Sequence, residues 1–256
     1  MGRIRPKYYR YQLASLLMTA CFSQAVTADF IGVYAGAGSW YQTTEGQMNH
    51  LGTDADMEKE YGFESEFSNF AYVAVEHPFP FIPNARINRY SLENKASRTV
   101  SAASEFTFAG TAYTSGTAIS TALRWDEADT LLYYEFLDNI ISFDLGLGVK
   151  KVDAEFSVTA GGATNTLRIE ETLPIAYVMA GVHLPGTGIS IIIEQTQSFH
   201  GDIEIVQSNS KISYEIAYML GIEAGYRTST AKLDELANVS GEVEFSGPFV
   251  NLLFHF

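Results

Sequence analysis

The sequence predicts an all-β chain: a transmembrane antiparallel up-and-down β-barrel of about ten strands, residues 29–256, behind a cleaved signal peptide, residues 1–28. Three observations carry this. The last stretch, GEVEFSGPFVNLLFHF over 241–256, places Val250, Leu252, Phe254 and Phe256 on one parity and ends on an aromatic. A strand with one apolar face that also closes a sheet is what lipid demands, because hydrocarbon offers no partner to a free sheet edge. Strict alternation recurs, most clearly over 141–150, where Ile141, Phe143, Leu145, Leu147 and Val149 oppose Ser142, Asp144, Gly146, Gly148 and Lys150. Short and long connections also alternate along the chain, as in single-chain barrels with short periplasmic turns and longer outer loops.

Strand 1 is read over 30–42, with Ile31, Val33, Ala35 and Ala37 on one face, and is followed by a polar loop over 43–62. Strand 2, about 64–77, stops at Pro78, Pro80 and Pro83, which cannot continue a hydrogen-bonded strand. Strand 3 starts at Ala85 and runs through Arg89 and Glu93 to an excursion over 95–116 that carries a short β piece at 105–108. Strand 4, about 117–136, has Leu132, Tyr134 and Phe136 on one parity and turns at Leu137-Asp138-Asn139 into strand 5, 140–158. A glycine-containing loop over 159–165 leads to strand 6, about 167–183, and the Leu184-Pro185-Gly186-Thr187-Gly188 turn to strand 7, 189–199. A turn region over 200–209, strand 8 to about 216, a turn at 217–219, strand 9 over 220–229 and a loop over 230–240 precede strand 10. Eight strands is the alternative if 203–229 is one long strand, but the loop lengths then lose their alternation.

The first 28 residues read as an export signal. Arg3, Arg5, Lys7 and Arg10 form a basic head, residues 13–26 are mostly apolar, and Val26-Thr27-Ala28 offers small residues for cleavage. The rival is lipidation at Cys21, for which Met18 is a weak match. Removing the signal leaves 12 basic and 30 acidic residues, net −18. Such a balance excludes a general nucleic-acid binder, which needs basic patches for phosphate, and suits a surface that shares divalent cations with lipopolysaccharide. The only cysteine, Cys21, lies in the signal, so the mature chain has no disulfide or cysteine nucleophile.

Several segments resemble one family. They are DFIGVYAGAGSWYQ after the signal, VAVEHPFP over 73–80, the Leu132-Tyr133-Tyr134-Glu135 and Leu137-Asp138-Asn139 pair, LPGTG over 184–188, and Gly247-Pro248-Phe249 with Phe254-His255-Phe256. Together they are similar to a family of Gram-negative outer-membrane β-barrels known simply as outer membrane protein. The likeness covers nearly all of the mature chain and implies the cell outer membrane and a barrel fold, with no activity and no catalytic residues to carry over. The basic stretch over 2–10 departs from it.

Charged residues on the expected lumen parity are Glu76, Arg89, Glu93, Glu135, Asp144, Lys150, Glu194, Glu223 and Arg227. Charges inside a narrow barrel must be paired or wet, so they read as a polar interior network first and as a narrow solute path second. The acidic run over 54–60 lacks the glycine and spacing of a calcium loop and reads as a solvated loop, so no metal or cofactor is expected. His50 and His200, with Asp54, Asp56 and Asp202 nearby in sequence, are the only material for a rim enzyme, and no established hydrolase motif accompanies them. Trp40 and Trp125 are read as an outer aromatic girdle, opposite Phe254 and Phe256. The expectation is a non-enzymatic outer-membrane barrel with a structural, surface-interaction or limited permeability role. Its partners are outer-membrane lipid, lipopolysaccharide and the barrel-assembly machinery, for which Val250, Leu252, Phe254 and Phe256 form the signal. Rival readings are a narrow channel, a rim enzyme and a soluble periplasmic ligand-binding barrel.

Overall fold

The computed structural model describes residues 31–198, 200–217 and 219–256; the signal peptide and Cys21 lie outside them. Ten long strands form the barrel among these residues: β1 Gly32–His50, β2 Glu66–Glu76, β3 Asn84–Thr99, β4 Ala118–Asp138, β5 Ile141–Ala160, β6 Ala163–Leu184, β7 Ile189–Ser198, β8 Ile203–Ala217, β9 Leu220–Leu236 and β10 Val239–His255. Each pairs antiparallel with its neighbour in sequence, and β10 pairs with β1 from Tyr34 opposite His255 to His50 opposite Val239. That seam leaves the barrel without a free edge and fixes the count at ten. Val250, Leu252 and Phe254 of β10, and Phe256 beyond it, face outward.

At the end holding Ile31 and Phe256, here the turn end, the connections are short. The β2–β3 link is tied by the Asn84 side chain, whose Oδ1 accepts the His77 amide at 3.0 Å. At the other end, the loop end, only two connections are long, over 51–65 and 100–117. The expected longer excursions over 159–165, 200–209 and 230–240 are instead tight reversals on extended strands. Gly161 and Gly162, both at positive φ, make the two-residue turn between β5 and β6, as a primed hairpin requires. Ala237 and Asn238 do the same between β9 and β10 without a glycine, at φ 51° and 60°. β1 likewise continues to His50, well into the expected loop.

The strands are long because the barrel has two halves of opposite polarity. Toward the turn end the outward face is apolar, with Leu147 70% exposed and Ile87, Leu132, Val149, Ile193, Ile212 and Leu252 around the same belt. A closed barrel with such a belt is built to sit in hydrocarbon. Toward the loop end the outward face carries Lys151, Asp153, Glu155, Arg168 and Glu170, while the interior becomes an apolar core. Trp40 and Trp125 belong to that core rather than to an exterior girdle. Both are buried, and each indole N–H is satisfied inside, by the Gly247 carbonyl at 3.1 Å and by Glu127 Oε1 at 2.7 Å. Tyr41, Phe67 and Tyr226 supply the exterior aromatic border at that level, Tyr41 against Phe67 at 4.8 Å between centroids.

Candidate functional site

The interior can be followed from the loop end downward. Ten strands enclose slightly more space than side chains alone fill, and both long loops fold inward to fill it. Met57, Tyr61 and Phe63 come from the first, and Phe106, Phe108 and Tyr113 from a small hairpin in the second, Phe106–Phe108 paired with Thr111–Tyr113. Phe156 of β5 lies at the centre, 4.7 Å from Tyr61 and 5.1 Å from Phe108 between ring centroids. The loops are held by polar ties: Thr121 Oγ1 donates to the Tyr61 carbonyl at 2.8 Å, and Asn165 Nδ2 donates to the Tyr113 hydroxyl at 2.9 Å. The acidic run keeps Asp54, Glu58 and Lys59 exposed, as expected of a solvated loop, while its apolar residues join the plug. Asp56 Oδ1 accepts the amides of Glu58 and Lys59, and Ala55 and Met57 beside it are buried. His50 is buried too, 5.2 Å from Phe108, with Nδ1 at 3.4 Å from the Asn238 carbonyl. Its ring is therefore turned into the plug, not toward a carboxylate at the rim.

Beneath the plug lies a layer of buried charge. Lys150 contacts Glu127 at 2.5 Å and Asp129 at 2.8 Å. Lys211 bridges Glu194 at 3.1 Å and Glu223 at 2.9 Å, and Arg86 meets Glu194 at 3.0 Å. Asn251 Nδ2 donates to Glu223 at 2.7 Å, and the Tyr72 hydroxyl to the same oxygen at 3.3 Å. Arg227 donates through Nε to Asn209 Oδ1 at 2.6 Å and sits in an aromatic box, 4.1 Å from the Phe70 centroid, 4.5 Å from Tyr90 and 5.1 Å from Phe249. Four cations, Arg86, Lys150, Lys211 and Arg227, thus meet four carboxylates, Glu127, Asp129, Glu194 and Glu223. Burying charge is tolerable here because each is paired or seated on an aromatic face.

Below this roof a cavity of about 410 Å³ opens at the turn end. Its walls include Tyr34, Tyr133, Tyr177, Met179 and the carboxylates Glu76, Glu135, Asp138 and Asp144. The Tyr133 hydroxyl donates to Glu76 at 2.6 Å, and Tyr34 stacks on His255 at 4.2 Å between centroids.

Of the residues expected inside, Glu76, Glu135 and Asp144 line this cavity, and Lys150, Glu194, Glu223 and Arg227 belong to the layer above, Glu194 and Glu223 facing the cavity as well. Arg89 and Glu93 do not point inward. Both are exposed on β3, whose interior parity is Arg86, Asn88, Tyr90, Leu92 and Asn94. β3 leaves the apolar belt at Ile87, and Arg89, Ser91 and Glu93 follow on its watered outer face, where Glu93 pairs with Lys95 at 3.4 Å. Arg86, Lys211, Glu127 and Asp129 were missed. For the last two the signal was present: Leu132, Tyr134 and Phe136 facing outward put Glu127 and Asp129 on the same inward parity as Glu135.

Solved structures of similar architecture include the translocator domain of the autotransporter NalP from Neisseria meningitidis, at 11% identity over 97% of this chain and 96% of that one, with a TM-score of 0.47. Another is Ail, the attachment invasion locus protein of Yersinia pestis, in complex with the heparin analogue sucrose octasulfate, at 11% identity over 88% and 99%, TM-score 0.33. A third is the outer membrane protease OmpT from Escherichia coli, at 10% identity over 90% and 98%, TM-score 0.38. At these identities and scores no residue role passes from them to this chain. No protein-family model matches the chain, and no curated protein matches it.

Proposed function

We propose that this chain is an integral protein of the Gram-negative outer membrane with a structural or surface-interaction role, closed to solute passage and without chemistry of its own. It is of the kind that the sequence resembles. The observation that carries this reading is the interior: an apolar plug built from both long loops, seated on a buried layer of four cations and four carboxylates. In this reading the turn end faces the periplasm and the loop end the exterior, following the usual placement of short turns and long loops. The outward strand faces near the exterior, rich in Asp and Glu, meet lipopolysaccharide through shared divalent cations. The outward face of β10 is what the assembly machinery reads.

Single-channel recording of the refolded protein in a planar bilayer tests closure. The expected outcome is a folded, heat-modifiable protein that gives no stable conductance steps. Reproducible steps that scale with salt would instead favour the narrow channel and would require the loop plug to leave the barrel.

A further inference from the structure

The turn-end cavity carries a charge imbalance that its own Lys and Arg do not neutralise. Seven carboxylates line it with two histidines, His183 and His255, and two Lys or Arg side chains, and both of the latter, Arg86 and Lys211, are engaged with Glu194 and Glu223 in the roof. Glu76, Glu135, Asp138, Asp144 and Glu215 make no ion pair with Lys or Arg among the described residues. Asp144 is the most constrained of them. It is 3% exposed, and its Oδ1 has no hydrogen-bond partner. It also stands directly opposite Glu135 across the β4–β5 pair, where like charges repel. A buried acceptor with nothing to accept from is costly, and a cation supplied from outside would relieve both conflicts at once.

The walls indicate which cation. Tyr34, Tyr133 and Tyr177 line the cavity, and aromatic rings attract organic ammonium groups. Among the described residues no three His, Cys, Asp or Glu side chains converge to hold a metal ion. A volume of about 410 Å³ accommodates a short flexible chain, within the usual range for small-ligand pockets. We propose that the cavity binds an aliphatic diamine, one ammonium between Asp144 and Glu135 and the other against Glu76 with its tyrosines. The proposal requires the fold and the open cavity. It does not depend on the role or conductance of the barrel.

Calorimetric titration of the full-length protein, refolded in zwitterionic detergent and verified as heat-modifiable, with 1,4-diaminobutane tests it. The expected result is saturable one-site binding, weakened about tenfold or more by Asp144→Asn and by Glu135→Gln. Asp153→Asn, on the outer face of the loop-end half, should leave it unchanged. If Asp144→Asn does not fold, Glu135→Gln carries the comparison. Absence of saturable heat from the folded wild type overturns the proposal. So does binding that survives the cavity substitutions, or displacement by equimolar Mg²⁺, which would indicate a simple carboxylate–metal site.

Discussion

Strand β5 is two strands in one. From Ile141 to Val149 the apolar side chains face out and Ser142 and Asp144 face in. From Lys151 to Ser157 the outward residues are Lys, Asp, Glu and Ser, and Val152, Ala154 and Phe156 face in. The alternation never slips; only its sign changes, at Lys150. β6 reverses in the same way, from Leu167 and Ile169 inside with Arg168 and Glu170 outside to Tyr177 and His183 inside with Val178 and Val182 outside. The lesson is that the medium outside the wall sets which face is apolar. Where water surrounds the barrel, removing apolar surface from it drives those side chains inward. Where lipid surrounds it, the wall must be apolar and the interior holds the polar groups.

The sharpest way to break this comparison is to place the same charge on the outward face of each half. Leu145→Lys with Leu147→Lys should cost about 2–4 kcal/mol per site near the bilayer midplane and prevent stable insertion, read as loss of the heat-modifiable band. Ser157→Lys, outward on the same strand beyond the belt, should lie within about 0.5 kcal/mol of wild type. Equal effects at both positions would mean that the two halves see the same medium. The next largest effect is expected inside the loop-end half. Phe156→Ala removes the ring at the centre of the plug and should lower stability by about 3–5 kcal/mol in urea unfolding; a change below 1 kcal/mol would show that the plug does not hold the barrel together.

The smallest effect concerns pH. Burial pushes the Tyr61 phenol up from its ordinary value, so the folded state keeps it neutral. Unfolded tyrosine ionises near pH 10. This contribution is therefore complete below about pH 10 and is lost as pH rises above it. The hydroxyl has no hydrogen-bond partner, so Tyr61→Phe should leave neutral-pH stability unchanged or slightly higher and flatten the alkaline decline. Parallel declines in both proteins would remove Tyr61 from that account.

The barrel, its ten strands and the turn-end reversals were legible because lipid imposes a one-sided apolar face, visible over 141–149 and in Val250, Leu252 and Phe254. In the loop-end half the sequence marks β4, β5 and most of β6 as strand, but the ends of β1, β3, β8 and β9 read as loop. Stretches such as Thr228, Thr230 and Lys232 look like connecting sequence when their polar face is taken alone, yet they alternate with Ser229, Ala231 and Leu233 in a continuous strand. Trp40 and Trp125 read as outward in the sequence because aromatics at a strand's upper end suit a membrane border, and only the reversed polarity reveals that they face a core. The interior network was legible wherever a neighbouring apolar run fixed the parity, as at Asp144 and Glu223. It failed at Arg89 and Glu93 because β3 has too few apolar outward residues to fix its own.

The length of β5 has a consequence of scale. Its 20 residues, rising about 3.3 Å each and inclined by about 40°, reach about 50 Å along the axis. An apolar band of about 25 Å accounts for half of that. The remaining half is a stiff stalk standing clear of the hydrocarbon, braced from within by aromatic rings. It holds the Gly161–Gly162 tip about 25 Å beyond the edge of the apolar belt, well clear of any surface that the belt itself can touch.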